Sequence, residues 1–264
     1  MHVFEAARFP YAETRGYTPP DATLTTLREL HETLGISRAV LTHASVHGSD
    51  PRAVLESARL DLERYRAVVT VAANVTEAEL AEMHRCGARG MRVNLVDKGG
   101  MPYRSLDELE RVAAKVAALG WHVEFLVHVH DYADLWPLAS RLPCDVVIGH
   151  LGYMPAALGP DHPAFLALLR ALEAGKTWVK LTGPYRISAE SDLPYTDVGR
   201  LAQALIATRS DRILWGSDWP HVMCKKPMPN DGDLIDLVLD WAPDAATRKT
   251  IFVDNPARLY GFPS

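Results

Sequence analysis

Three features of the 264-residue sequence predict an α/β chain folded as a single domain, residues 1–264, with the architecture of a distorted (β/α)8 barrel, the TIM barrel. Short β-rich apolar runs alternate with amphipathic stretches of helical period, the pattern of repeated βα units around a parallel sheet. Titratable and amide residues recur at the carboxyl end of one run after another, where such barrels assemble their sites. No GxGxxG or GxxxxGK loop follows the first run, which disfavours the competing open, doubly wound sheet.

The elements follow in order. His2–Phe4 reads as the remnant of a truncated first strand. Strands are then expected where apolar and β-branched residues run together: Arg38–Thr42, Ala67–Val71, Gly90–Leu95, His122–Val127, Asp145–Ile148, Thr177–Leu181 and Arg212–Trp215. Helices are expected where apolar residues recur at helical spacing: Thr23–Leu34, Pro51–Arg64, Glu77–Cys86, Ser105–Leu119, Tyr132–Ser140, Pro163–Ala174 and Asp197–Ala207, with Asp231–Trp241 and Ala245–Tyr260 closing the chain. The Pro- and Gly-containing stretches Met154–Pro163 and Lys225–Gly232 read as long βα loops.

Composition excludes several function classes. A formal net charge of -5 leaves no broad basic field for a phosphate backbone, so nucleic acid is not an expected partner. No apolar run reaches the roughly 18–20 residues of a membrane helix, and no basic-then-apolar leader opens the chain, so no membrane association and a cytoplasmic location are expected. Cys86, Cys144 and Cys224 share no CxxC spacing, which argues against a disulfide framework or a thiolate zinc site. Oligomeric state is unknown at this level.

The strand ends carry the chemistry. His43, Ser45 and His47 lie in HASVHG, Arg92 and Asn94 in GMRVNL, His128 and His130 after the His122 run, His150 in VVIGH, Arg186 in LTGPYR and Asp218 in WGSDWPH. Each alone could be structural, but independent structural residues have no reason to gather at one rim. An inward Asp218 can deprotonate water, with Trp215 and Trp219 limiting solvent and keeping its pKa useful. The competing reading is a helix cap or a Ser-Asp turn before proline. Arg92 and Arg186 suit bidentate capture of a substrate carboxylate, against which stands pairing with barrel carboxylates.

The segments HVF, RFPYAETRGYTPPDA, HGSDPRAVL, GMRVNLV, VVIGHLG, LTGPYRIS, ILWGSDWPH and VDNPARLYGF, spread over nearly the whole chain, resemble the amidohydrolase superfamily. Within it they resemble the branch of 2-pyrone-4,6-dicarboxylate lactonases and related lactone-acting enzymes. The resemblance implies a hydrolase of aromatic-compound degradation that opens a small carboxylated lactone without a metal or other cofactor. It implies Asp218 as the water-activating base, with His150 and His2 polarising the carbonyl. It places Arg92, Arg186, Tyr17, Ser45, His47, Lys98 and His221 among the substrate-binding residues.

Three departures from the family pattern stand out. Leu126 replaces a substrate-binding tyrosine, Lys98 replaces an arginine, and MHVF keeps only the second histidine, His2, of an HxH pair. An upstream segment ending in His is therefore expected directly before Met1. The alternatives left open are a zinc-dependent hydrolase or decarboxylase with His2, His128, His150 and Asp218 as ligands, a lactone isomerase, and a non-catalytic metabolite-binding protein.

Overall fold

The seven apolar runs become seven parallel strands, hydrogen-bonded in chain order, in a computed structural model that describes residues 1–97, 102–131 and 136–263. They are β1 (Ala39–Thr42), β2 (Tyr65–Val69), β3 (Ala88–Asn94), β4 (His122–Leu126), β5 (Val146–Ile148), β6 (Thr177–Thr182) and β7 (Ile213–Gly216). Every residue of β2, β4 and β5 is buried, as expected of parallel strands covered by helices on one side and by a packed interior on the other. The helices are α1 (Leu24–Leu34), α2 (Arg52–Ala58), α3 (Glu77–Arg85), α4 (Leu106–Ala117), α5 (Trp136–Arg141), α6 (Pro163–Glu173), α7 (Thr196–Arg209), α8 (Asp231–Trp241), α9 (Ala245–Lys249) and α10 (Asn255–Tyr260). Among the described residues, none is long and apolar enough to cross a membrane.

The amino-terminal remnant shows how far the sheet is rolled. The Thr42 amide of β1 donates to the Met1 carbonyl at 2.8 Å, and the His2 amide donates to the Trp219 carbonyl, just past β7, at 2.9 Å. Two consecutive residues thus bond to both outer strands, so β1 and β7 approach to about the width of one strand and the architecture is that of the expected (β/α)8 barrel. Phe4 adds one antiparallel bridge to Ala22.

Two expected helices are broken. The helix expected over Pro51–Arg64 ends at Ala58, because Leu60 and Leu62 face solvent and offer no apolar stripe to hold a further turn. The helix expected over Ala245–Tyr260 passes through a π-helical turn, Thr250–Asp254, before α10. Pro256 has no N–H for the α-helical ladder at that point. β2 begins at Tyr65 rather than Ala67, drawn back by its register against Ala39 of β1. Residues 132–135 of the helix expected at Tyr132–Ser140 lie outside the described residues.

A charged layer lies inside the barrel. Glu124 of β4 and Lys180 of β6 form a buried ion pair. Burial alone would raise the Glu124 carboxyl, but Lys180 and then Arg92 hold it down at about 2.

Candidate active site

The carboxyl ends of the strands open into a cavity of about 410 Å³ whose wall includes His2, Tyr17, Ser45, Arg92, Leu126, His128, His150, Arg186 and Asp218. A second cavity of about 410 Å³ follows the gap between β1 and β7 and shares His2, Arg92, Leu126, His150 and Asp218 with the first. Sharp turns at the strand ends aim these side chains inward. Asp218 has φ 71° and His150 has φ 49°, left-handed values that non-glycine residues adopt at a cost of order 1–3 kcal/mol and that concentrate at functional sites. Gly183, φ +59°, makes the turn that brings Pro184–Arg186 beneath His150. A Cβ at residue 183 would lie 2.9 Å from His150 Nδ1 and 3.1 Å from Asp218 Oδ2, so only glycine fits.

Asp218 is the most heavily engaged group. Its Oδ2 accepts from the Tyr185 hydroxyl at 2.7 Å and from Arg186 Nε at 2.6 Å. Its Oδ1 faces His150 Nε2 at 3.8 Å. Burial by itself would raise the Asp218 carboxyl, but His150 and Arg186, with His2 and the Tyr185 hydroxyl, hold it far below the usual carboxylate range. Of the two tryptophans expected to limit solvent here and keep the pKa useful, Trp215 lines the second cavity with Asp218 and Trp219 lines neither, and the groups that set the ionisation of Asp218 are His150 and Arg186.

The two inward histidines are held in one tautomer. His2 Nδ1 lies 2.7 Å from the Thr42 carbonyl and His150 Nδ1 lies 3.0 Å from the Thr182 carbonyl. A carbonyl oxygen only accepts, so each Nδ1 carries the proton and each neutral ring turns an Nε2 lone pair to the cavity. Burial, the largest influence on both, lowers His2 well below its ordinary value and His150 to about 4.

Arg92 is buried, and among the described residues its one hydrogen bond is from Nη1 to the His43 carbonyl at 3.0 Å. Its Nε has no partner, and among the described residues no carboxylate lies within ion-pair distance of its guanidinium. Arg186 instead follows the competing reading in part: Nε is committed to Asp218 and Nη2 to the Val222 carbonyl at 2.9 Å. Tyr17 reaches the cavity wall, its hydroxyl pushed up to about 12 by burial.

Two sequence expectations are corrected. His47 packs between Phe4, Tyr11 and His43 and does not line the cavity. His221 is turned away, bonded between Tyr185 and Asp231. Lys98 lies outside the described residues. Residue-by-residue reading missed Tyr185, which sits directly before Arg186 in LTGPYR. It also missed Asp97, which an Asx turn on Asn94 swings back to Ser45 Oγ at 3.2 Å and Asn94 Nδ2 at 2.8 Å.

The zinc alternative can be tested against this donor set. His2, His128, His150 and Asp218 all face the cavity, yet the Asp218 oxygen nearest Arg186 is taken by a guanidinium, a permanent cation already standing in the site. Among the described residues, the group whose ligand atoms lie within 4.8 Å of one another is His128, His130 and Asp131 at the rim. The four residues do not fit a zinc ion as arranged.

Comparison with known proteins places the chain. A sequence model of the amidohydrolase family matches residues 1–262. The 2-pyrone-4,6-dicarboxylate hydrolase of Comamonas testosteroni is 37% identical over 269 residues, covering 98% of this chain and 88% of its own. The 4-sulfomuconolactone hydrolase of Hydrogenophaga intermedia is 38% identical over 264 residues, covering 99% and 87%. A crystal structure from Acinetobacter baumannii with citric acid bound is 26% identical, with TM-score 0.86 over 99% of this chain and 97% of that one. The match of a family model to nearly the whole chain, on a barrel whose strand ends converge on one cavity, makes this protein a member of the amidohydrolase family.

Proposed function

We propose that this amidohydrolase opens a carboxylate-bearing lactone by attack of a water activated at Asp218, without a metal. The observation that carries the reading is the pairing, in one cavity, of an ionised Asp218 with a buried Arg92, where among the described residues Oδ1 makes no short contact and the guanidinium has no carboxylate partner. A guanidinium so placed is completed by an anionic group of the substrate. The lactone hydrolases among the relatives and the citrate held by the Acinetobacter structure support an acidic lactone, such as 2-pyrone-4,6-dicarboxylate, as the substrate.

In this mechanism Oδ1 takes a proton from water as the oxygen bonds to the lactone carbonyl carbon. A carboxylate held this far ionised is a weak base, so the proton passes on to the neutral Nε2 of His150, which at 3.8 Å from Oδ1 must close to hydrogen-bond distance or be bridged by a water to receive it. Breaking the ring C–O bond returns that proton to the leaving oxygen, and lactone plus water become the open acid. The sequence reading gave His150 and His2 the task of polarising the carbonyl. Their resting tautomers present lone pairs, so donation to the oxyanion falls to the hydroxyl of Tyr17, while Arg92 holds the substrate carboxylate.

Steady-state hydrolysis of a panel of carboxylated lactones tests this. Asp218→Asn is expected to lower kcat/KM by about 10²–10⁴-fold, the range for a positioned general base, while exhaustive chelation leaves the wild-type rate intact. Near wild-type turnover by the Asn variant rejects the base assignment. Activity lost on chelation and restored by zinc rejects the metal-free reading, and ligand-induced stabilisation without any turnover favours a binding protein.

A further inference from the structure

We propose that Asp231, His221 and Tyr185 form a buried relay of positioning residues that sets the rotation of the Asp218 carboxylate, holding Oδ2 and presenting Oδ1 to water. The proposal rests on Asp218 being the base. Asp231 is the first residue of α8, so its carboxylate sits at the favourable end of the helix dipole, behind the Asn230 cap. His221 Nε2 lies 3.2 Å from Asp231 Oδ2, His221 Nδ1 lies 3.1 Å from the Tyr185 hydroxyl, and that hydroxyl donates to Asp218 Oδ2 at 2.7 Å. All four side chains are buried.

Counting hydrogens gives the relay its direction. Each of the three links needs one proton: the Tyr185 hydroxyl gives its own to Asp218, His221 Nδ1 must therefore carry one to donate to Tyr185, and a third is shared between His221 Nε2 and Asp231 Oδ2. In that state His221 fills the lone-pair side of Tyr185 and leaves its single proton nowhere to go but Asp218. Burial and the nearby Asp218 charge push the Tyr185 hydroxyl well up, which keeps it a donor. The terminal torsion of an aspartate is soft and roughly two-fold, so without Tyr185, among the described residues, Arg186 Nε alone would hold Oδ2. His221 has φ 57°, a strained backbone placed where the imidazole must span from α8 to the turn after β6.

The test uses the full chain and 2-pyrone-4,6-dicarboxylate as probe, with Tyr185→Phe, Asp231→Asn, Asp231→Glu and the double variant Tyr185→Phe/Asp231→Asn, each checked for folding by thermal unfolding. Tyr185→Phe removes one hydrogen bond to a charged group and is expected to lower kcat by about 10- to 150-fold, with KM changed by less than about twofold. Asp231→Asn should lower kcat by a smaller factor, Asp231→Glu should recover most of it, and the double variant should be no worse than Tyr185→Phe, because both act through one chain. Losses that multiply, or that fall on KM, overturn the relay. Asp218→Asn separates this from failure of the base assignment. If that variant stays active, the crystal structure of Tyr185→Phe decides: an Asp218 carboxylate turned from its place supports the relay, and one left unmoved overturns it.

Discussion

Replacing Arg92 with Met should make the protein more stable and less able to bind its ligand. Met fills a similar volume without charge. The guanidinium is buried, with Nε unpartnered and one bond to the His43 carbonyl. Burying an ion costs several kcal/mol after relaxation, while a hydrogen bond from a charged group returns about 1.5–3 kcal/mol. Set against the help Arg92 gives the buried Glu124 carboxylate, the net gain for Met is about 1 kcal/mol, or roughly 2–4 °C in Tm for a chain of this size. Ligand affinity moves the other way. At a citrate concentration 100 times Kd the wild type gains about 2.7 kcal/mol. Losing a charge-assisted contact worth about 1.5–3 kcal/mol leaves the variant only about 0.3–1.3 kcal/mol at that concentration. Differential scanning fluorimetry with and without citrate measures both shifts. A variant less stable than wild type that keeps the full citrate shift would refute the reasoning, because Arg92 would then be a structural residue.

Three further outcomes are expected. Lys180→Met strands the buried Glu124 and should cost about 3–5 kcal/mol, with much of it recovered in Lys180→Met/Glu124→Leu, as read by denaturant unfolding. Because the Glu124 carboxyl is held at about 2, below the ordinary glutamate value, its contribution is fully present above about pH 4.5 and lost as pH falls through about 2; the span corresponds to about 3 kcal/mol, and an acid-unfolding profile unchanged in the double variant would contradict it. Gly183→Ala places a Cβ 2.9 Å from His150 Nδ1 and should lower kcat by about 10²-fold through misplacement of His150 and Asp218, in steady-state assays of the folded variant; unaltered kcat would show that the turn yields freely.

Much of the molecule was legible without coordinates, for reasons that particular residues make plain. Runs such as Val146–Ile148 are buried on both faces, so they read as continuous apolar strands, and all seven were located. The alternation of these runs with amphipathic helices leaves few topologies open, and right-handed βα connection makes the barrel the natural one. Barrel geometry then sends the strand ends to one rim, which is why Asp218, His150, Arg92, Arg186 and Ser45 could be nominated together, while His2 and Tyr17 were reached only through the family resemblance.

What sequence could not settle is how those groups pair. Asp218 and Tyr185 are 33 residues apart, and Asp218 and Arg186 are 32 apart. Whether an arginine meets a substrate or a neighbouring carboxylate depends on distances of a few ångströms set by the turns at Gly183 and Asp218. The same turns remove His221 from the cavity and give it to Asp231, and hold His2 and His150 as neutral rings by spending their Nδ1 protons on backbone carbonyls. Residue order carries periodicity and therefore the fold, because burial is a property of whole faces. Protonation and hydrogen-bond direction belong to individual atoms, and only the packed tertiary structure brings those atoms within reach of one another.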